Sequence, residues 1–416
     1  MVASRFEPIA WHVARWGDDP WSAGSWTALA PGGTPQHRVE LGEPIDGRLI
    51  VAGDTTNPVA ASMIHGAYDE GLRAARWASD VVQARNVIVI GAGFAGLGAA
   101  HALRDADVNV VVLEARDRIG GRVHTVPIGD GVVADAGAAW LQQHSNNSLA
   151  RLAEQLGIVT VATDFHSPLA SAVGRVVGDV DAALVGIARA FDSASDDASV
   201  ADVLPTYMQS LSTADRLTAQ HAIDLEIDLE NGVAHHRLSA RRVLSEPGVG
   251  DGDQWLPGGL RQLLNYFAAG SNIRLNTPVR RIEWTPDAVM VDDLAADCCI
   301  CTVPAWLLSK LELQPGLPAT HRDALAHISV GVVEKVVLRF ADRWWPHDDN
   351  GYLRWCDAPA SWGEWLDLSD HVGAPVVAGF VASDAVTRNH HGRTDEQVAI
   401  AAARALRRWS ESVGQK

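Results

Sequence analysis

The sequence predicts an α/β protein of two domains, one a doubly wound parallel sheet and the other a mixed sheet roofed by helices. Three observations predict it. A buried strand, a glycine-rich turn, a helix and a second buried strand follow one another across residues 86–114. The chain has 416 residues, 47% hydrophobic and 20% charged, which is enough for a large core and too long for one ordinary domain. Helical patterns dominate 147–245, as in NSLARLAEQLG and ADRLTAQHAIDLEIDLE.

The first observation is the most specific. Residues 86–90 read NVIVI, a continuous apolar strand of the kind buried on both faces. Gly91, Gly93 and Gly96 follow in GAGFAG, then the helical stretch LGAAHALRDA and the strand NVVVL, which ends at Glu114. Gly91 allows the tight turn, Gly93 lets backbone approach a pyrophosphate, and Gly96 lets helix pack on strand. The helix N-terminus offers free N–H groups to phosphates. Glu114 falls about 20 residues after the glycines, where a carboxylate accepts from ribose hydroxyls. Strand, turn, helix, strand and acid in this order make a dinucleotide-binding unit; the pattern alone leaves NAD and FAD both open.

Composition narrows the partners. A formal net charge of −17 and a pI near 5.3 argue against nucleic acid and anionic membrane surfaces. Of four cysteines, three crowd together as Cys298, Cys299 and Cys301, and they read as small core residues and not as a disulfide framework. No metal-ligand spacing stands out, so no metal is expected. The N-terminus, MVASRFEPIAWHVARWGDDP, does not read as a signal peptide, and no apolar run reaches the roughly 18 residues of a membrane span. A soluble cytoplasmic protein is expected. Lysine occurs only as Lys310, Lys335 and Lys416, so a lysine within a motif is informative.

Residues 114–125 read EARDRIGGRVHT and residues 135–141 read DAGAAWL. Here the sequence resembles the flavin monoamine and polyamine oxidase family, which implies non-covalently bound FAD as the dinucleotide. The family's arginine-rich double-glycine turn is matched by Arg116, Gly120, Gly121 and Arg122. QWLPGGLRQLL at 254–264 and NIRLNTPVRRIEW at 272–284 look like its middle flavin segment, with Val279 near the adenine. ADCCICTVPAWLL at 296–308 looks like the strand returning to the substrate domain. The resemblance covers most of the chain except roughly 160–230. It places Gly91, Gly93, Gly96, Glu114, Ala115, Arg116, Gly121, Arg122, Gly137, Ala138, Ala139, Trp140, Val279, Asp54 and Ile64 around FAD.

The nucleotide unit opens the chain in that family; here 85 residues precede it. RWGDDPWSAGSW at 15–26 and GRLIVAGDTTNPVAASMIHGAYDEGLRAARWASDVV at 47–82 both resemble the family's C-terminal portion. The chain's own end, VVAGFVASDAV and then DEQVAIAAARALRRW, resembles the segment just upstream of that portion. The expectation is a circular permutation, with residue 416 abutting residue 1 in family order and a short stretch around Gln83, Ala84 and Arg85 at the new junction.

For the chemistry, Lys335 in SVGVVEKVVLRFADRWW resembles the family's lysine that holds a water at flavin N5, and an apolar strand rarely hides a lysine without a partner. Trp26 matches one of two aromatic walls that flank a substrate amine; Met63 falls where the second is expected and lacks an aromatic face. Ser25 stands where some members carry a flavin-linked cysteine. Asp54 reads as a cofactor-positioning group. His235 and His236 read as surface or pocket residues, and Asp224, Glu226, Asp228 and Glu230 as a solvated face.

The expected flavin domain combines 27–146 with 239–300, and the expected substrate domain combines 1–26, 147–238 and 301–416. The function implied is oxidation of an amine or amide to an imine or iminium, with FAD as acceptor and O2 as final oxidant. A role in secondary metabolism, followed by cyclisation or hydrolysis, is part of this expectation, and a homodimer is left open. The alternatives are an L-amino-acid oxidase, with Arg237, Arg241 or Arg354 at the substrate carboxylate, and a non-catalytic flavoprotein scaffold.

Overall fold

A computed structural model describes residues 5–165, 168–171, 178–245, 252–356 and 362–413. The apolar strands come together as a five-stranded parallel sheet in the order Asn272–Arg274, Asn109–Leu113, Asn86–Ile90, Cys298–Cys301, Leu49–Val51. The edge strand comes from the segment that precedes the nucleotide unit, in register Ile50 to Ile300. The three cysteines of Cys298–Cys301 are free and buried, and burial pushes the thiols of Cys298 and Cys301 up to about 12 and about 11. They pack as small core residues.

Two helices cover one face of this sheet. Phe94–Asp105 follows the glycine turn, and Ile64–Arg76 lies against it. Their approach depends on missing side chains: a Cβ on Gly71 would lie 2.1 Å from the Ala95 carbonyl oxygen, and one on Gly98 would lie 2.7 Å from the Tyr68 ring. Ile64–Arg76 runs on through a π turn, Trp77–Val81, into the strand Asn86–Ile90. Between them Gln83 adopts φ 56°.

The second sheet is mixed and six-stranded, in the order Ala10–Val13, Val333–Arg339, Val376–Ala382, Glu364–Asp367, Tyr352–Trp355, Leu169–Ser171; only the last pair is parallel. Period-2 alternation assigns its faces. Val336, Leu338, Val377 and Val381 pack under the long helix Asp395–Val413 through Val398, Ala402, Leu406 and Trp409. Val337, Leu366 and Ala378 face the other way, toward Val126 and Ile128 of the hairpin that follows the nucleotide unit. Helices Val180–Asp192, Val200–Ser210 and Thr213–Ile223 form a separate cluster.

The N-terminal segment is tied to the chain's last helix. Arg15 Nε lies 2.7 Å from Asp395 Oδ1, and the Arg407 guanidinium sits 4.3 Å from the Phe6 ring. Residues 1 and 416 themselves lie outside the described residues. Among the described residues no helix is long and apolar enough to cross a membrane.

Candidate active site

The glycine turn forms a cradle without side chains. Gly91 has φ 102°, a conformation that favours glycine. A Cβ on Gly96 would lie 1.9 Å from the Gly91 carbonyl oxygen, so helix and strand meet there only through a glycine. Gly121, at φ 58°, faces Gly93: a Cβ on Gly121 would stand 3.7 Å from Gly93 Cα, with nothing else within 4 Å. A Cβ on Gly53 would meet nothing within 4 Å. Open space at Gly53, Gly93 and Gly121, beside the start of helix Phe94–Asp105, fits a diphosphate approached by backbone N–H groups.

Several other predicted cofactor residues are tied together beside this cradle. Glu114 is buried and accepts N–H bonds from Ala92 at 2.8 Å and Arg116 at 2.9 Å, which leaves lone pairs for ribose hydroxyls. Thr277 N donates to the Glu114 carbonyl and Asn276 N to that of Arg116, which brings the Val279 segment alongside. Arg116 Nη2 donates to both Asp19 carboxylate oxygens at 3.0 Å and to Ser22 Oγ at 2.7 Å. Arg122 grips Asp54 with two donors and the Ser25 carbonyl at 2.8 Å. Both arginines of the double-glycine turn therefore bind residues from 19–54. Ser25 Oγ in turn donates to the Val333 carbonyl at 2.8 Å and accepts the Val333 N–H. Ile64 opens its helix, and Met63 at the N-cap gives no side-chain cap bond.

Lys335 is buried in its strand. Its Nζ donates to the carbonyls of Asp135, at 3.1 Å, and Gly137, at 2.7 Å, so it touches the DAGAAWL segment. Trp140 and Phe380 present ring faces 5.1 and 5.2 Å from the ammonium, cation–π contacts that help hold the charge. Burial nonetheless lowers its pKa to about 8, with Asp135 acting in the opposite sense. Ala139, Trp140, Trp255 and Leu366 close a small compartment around it.

One row of side chains crosses the mixed sheet from this lysine. Lys335 pairs with Phe380, Phe380 with Glu364, and Glu364 with Arg354. Registered neighbours share a face, and at about 4.8 Å per strand the row spans roughly 14 Å. Phe380 borders both the lysine compartment and a cavity of about 400 Å³ beyond it. That cavity is lined by Glu364, Arg354, Asp224, Asp228, His235 and Asp384, among others. Arg354 Nη1 lies 3.1 Å from Glu364 Oε1, and the Tyr352 hydroxyl also donates to that carboxylate. Burial, with Asp228 adding, pushes the Asp224 carboxyl up to about 6, whereas Gln220 holds it down.

Here the structure corrects one expectation. Asp224 and Asp228 are not a solvated face, since they line the cavity, and neither is Glu230, whose carboxyl burial pushes up to about 8. A spacing of four puts Asp224 and Asp228 on one side of the wound segment Asp224–Leu229, whereas Glu226 lies two positions off. His235 and His236 both border the cavity. Of the three candidate arginines only Arg354 reaches it; Arg241 pairs with Asp196 and Arg237 is exposed. Trp26 and Met63 line neither space. They are drawn together through their neighbours, since Ser62 Oγ donates to the Thr27 carbonyl at 2.7 Å, and Trp26 Nε1 donates to the Glu230 carbonyl. Sequence reading passed over Phe380, Tyr352 and Glu364. His37, Asp323 and His327 also cluster, on another surface. The two imidazoles stack 4.3 Å apart and 5° from parallel, so their in-plane lone pairs do not converge on one ion.

A family model described as flavin containing amine oxidoreductase matches residues 1–77, 94–242 and 200–415. Polyamine oxidase 4 of Oryza sativa subsp. japonica is 29% identical over 341 residues, covering 71% of this chain and 67% of that protein. Lysine-specific histone demethylase 1 homolog 1 of Arabidopsis thaliana is 29% identical over 341 residues; the match spans 74% of this chain and 40% of that longer protein. Among solved structures, a putrescine oxidase variant superposes with a TM-score of 0.63 at 23% identity, over 78% of this chain and 81% of the other. Cyclohexylamine oxidase from Brevibacterium oxydans IH-35A gives 0.63 at 22% identity, over 79% and 82%. These two likenesses are of fold.

Proposed function

The chain belongs to the flavin-containing amine oxidoreductases, which take FAD as cofactor, and on that premise we propose that it oxidises an amine at the carbon next to nitrogen, giving an imine or iminium. The observation that carries this reading is the row Lys335–Phe380–Glu364–Arg354, which joins a buried lysine held by the Asp135 and Gly137 carbonyls to a cavity with acidic walls.

FAD, when bound, supplies the hydride acceptor and passes its electrons to O2 to give hydrogen peroxide. The residues present fit it. Gly91, Gly93, Gly96 and Gly121 leave room for a diphosphate; Glu114 would take the ribose, Ala115 and Val279 would border the adenine, and Arg116 and Arg122 would anchor the walls. Asp54, Gly137, Ala138, Ala139, Trp140 and the helix starting at Ile64 would frame the reacting end. Ser25 leaves the cofactor without a thioether at that position.

Lys335 has three N–H bonds, and two go to main-chain carbonyls. The third is available to hold a water or to steady negative charge at the reacting face. Phe380 and Trp140 keep bulk water away from it. Asp224, Asp228 and Glu364 attract an ammonium-bearing substrate into the cavity. Trp26 and Met63 are assigned as side walls nearer the cofactor. The amino-acid alternative is weaker because Arg354 already pairs with Glu364. Anaerobic mixing of the yellow protein with amines, amides and amino acids tests the proposal: bleaching by amines supports it, bleaching by amino acids alone overturns it in favour of the alternative, and no bleaching by any of them leaves a flavoprotein scaffold. The substrate is read as a secondary-metabolite amine or amide and the compartment as the cytoplasm.

The chain order is read as a circular permutation. Its support is the edge strand Leu49–Val51 in the parallel sheet, the Gln83 turn, and the contacts of Arg15 with Asp395 and of Phe6 with Arg407. A chain opened at Gln83, with its present ends joined by a short linker, should bind FAD and turn over like the parent; insoluble, flavin-free protein would break this reading.

A further inference from the structure

Two ion pairs face the cavity, and they differ in kind. Arg354–Glu364 is permanent, because a guanidinium does not lose its proton in a protein. Asp228–His235 is not: His235 Nε2 lies 2.6 Å from Asp228 Oδ1, and both side chains are about one-third exposed, at 34% and 33%. We propose that His235 is an exchangeable counter-ion for Asp228, which a cationic ligand entering the cavity displaces, sending the imidazolium proton to solvent. The inference rests on the amine reading and adds a device to it.

The surroundings favour exchange. On the segment carrying Asp228, Asp224 faces the same cavity; across it stands Asp384, at the start of the helix Asp384–His390. The direct bond to Asp228, helped by its charge and those of Asp384 and Asp224, raises the His235 pKa against the effect of burial. The opposing groups on the remaining walls are the fixed Arg354–Glu364 pair, His221, whose pKa falls to about 4, and His236 and Arg388 at the exposed rim. A ligand ammonium and the His235 proton therefore compete for one carboxylate. Proton and electron accounting is simple: one cation enters, one H+ leaves, and no bond to carbon changes. Binding should release most protons just above the ordinary histidine range, about pH 6.5, and should tighten as pH rises.

Butyltrimethylammonium is a suitable probe, since it is permanently charged and has no proton of its own to lose. Its binding to the FAD-loaded enzyme would be measured by calorimetry in two buffers of different ionisation enthalpy. The expected result is release of about half to one proton per bound probe near pH 7, and a Kd that falls by up to about tenfold from about pH 6 to about pH 8. His235→Gln should still bind the probe but release clearly fewer protons near pH 7, keeping only the weaker pH dependence toward the acid side that Asp224, with its carboxyl at about 6, contributes. Binding without proton release, the same release from His235→Gln, or no binding at millimolar probe would each overturn the proposal. Flavin bleaching by an amine together with any of those results would leave amine oxidation standing and remove only the exchange.

Discussion

The glycine cradle around Gly91 and the acid-lined cavity beyond Phe380 are built in different ways. The cradle's central parts lie within one stretch of chain, residues 86–122, and are defined by backbone: a turn at φ 102°, a helix start, and a glycine where a Cβ would sit 1.9 Å from a carbonyl oxygen. The cavity draws its side chains from segments near residues 224–235, 354, 364 and 380–384, which meet because three strands take one register and the wound segment from 224 packs beside them. The first depends on atoms that are absent and the second on atoms brought from far apart. The difference predicts that cradle substitutions will be all-or-none, whereas cavity substitutions will be graded.

The largest effect is expected at Gly96. Gly96→Val puts carbon atoms into space held by the Gly91 carbonyl and leaves nothing flexible to move aside. Overpacking of this kind costs about 1–3 kcal/mol, and here it falls on the groove floor. FAD affinity should drop by more than about 100-fold, so that the protein emerges without flavin, read as flavin absorbance retained after gel filtration. Full retention would remove the contrast between the two regions.

Lys335 stands where the regions meet. Lys335→Met should slow reoxidation by O2 by about 100-fold, the range for losing one preorganised donor, while flavin content stays near the parent's. Stopped-flow mixing of reduced enzyme with O2 measures it, and reoxidation at the parent rate would sink the role assigned to the lysine. The same variant has a stability signature. The folded-state pKa of Lys335, about 8, lies below its ordinary value, so the charged form is penalised below pH 8 and the penalty lifts between about 8 and about 10.4. The Tm advantage of Lys335→Met should therefore be greatest below pH 8 and shrink above it.

Smaller and graded is Asp224→Asn. It removes one of several carboxylates from a wall that stays intact, so KM for amines should rise about three- to tenfold with kcat little changed, the mark of lost uniform binding. Steady-state kinetics with peroxide detection reads the split. A fall in kcat alone would place Asp224 at the reacting atoms and not along the approach to them.

How much was legible in the sequence follows from the same contrast. The fold class, the cofactor and the glycine turn could be read because each depends on neighbours in the chain. Lys335 could be read because lysine is scarce and its strand is apolar. Phe380 and Glu364 could not, since an alternating strand announces its two faces but not its partner's register. Asp224 and Asp228 did carry a signal, their spacing of four, but alternation with leucine and isoleucine masked it. Trp26 and Met63 show the reverse: their motifs stand out, yet the two cavities are walled by other residues.

The smallest effect is expected on the opposite face of the lysine strand, at Glu334. Its carboxylate is buried and accepts N–H bonds from Trp16 and Gly17, both at 2.9 Å, so it pins the N-terminal segment to the strand that carries Lys335. Burial pushes its pKa up to about 7 although the two N–H bonds pull it down. An unfolded glutamate titrates near 4.3. The folded chain therefore keeps this proton to higher pH than the unfolded chain, and the contribution to stability is fully present below about pH 4 and is lost as pH rises through about 7. Glu334→Gln cannot ionise. The Tm of the parent minus that of the variant should fall by a few degrees from pH 5 to pH 8, while other titrating groups cancel in the difference. A constant difference would mean that Glu334 is ionised throughout, and that the N–H bonds outweigh burial where the N-terminal segment meets the lysine strand.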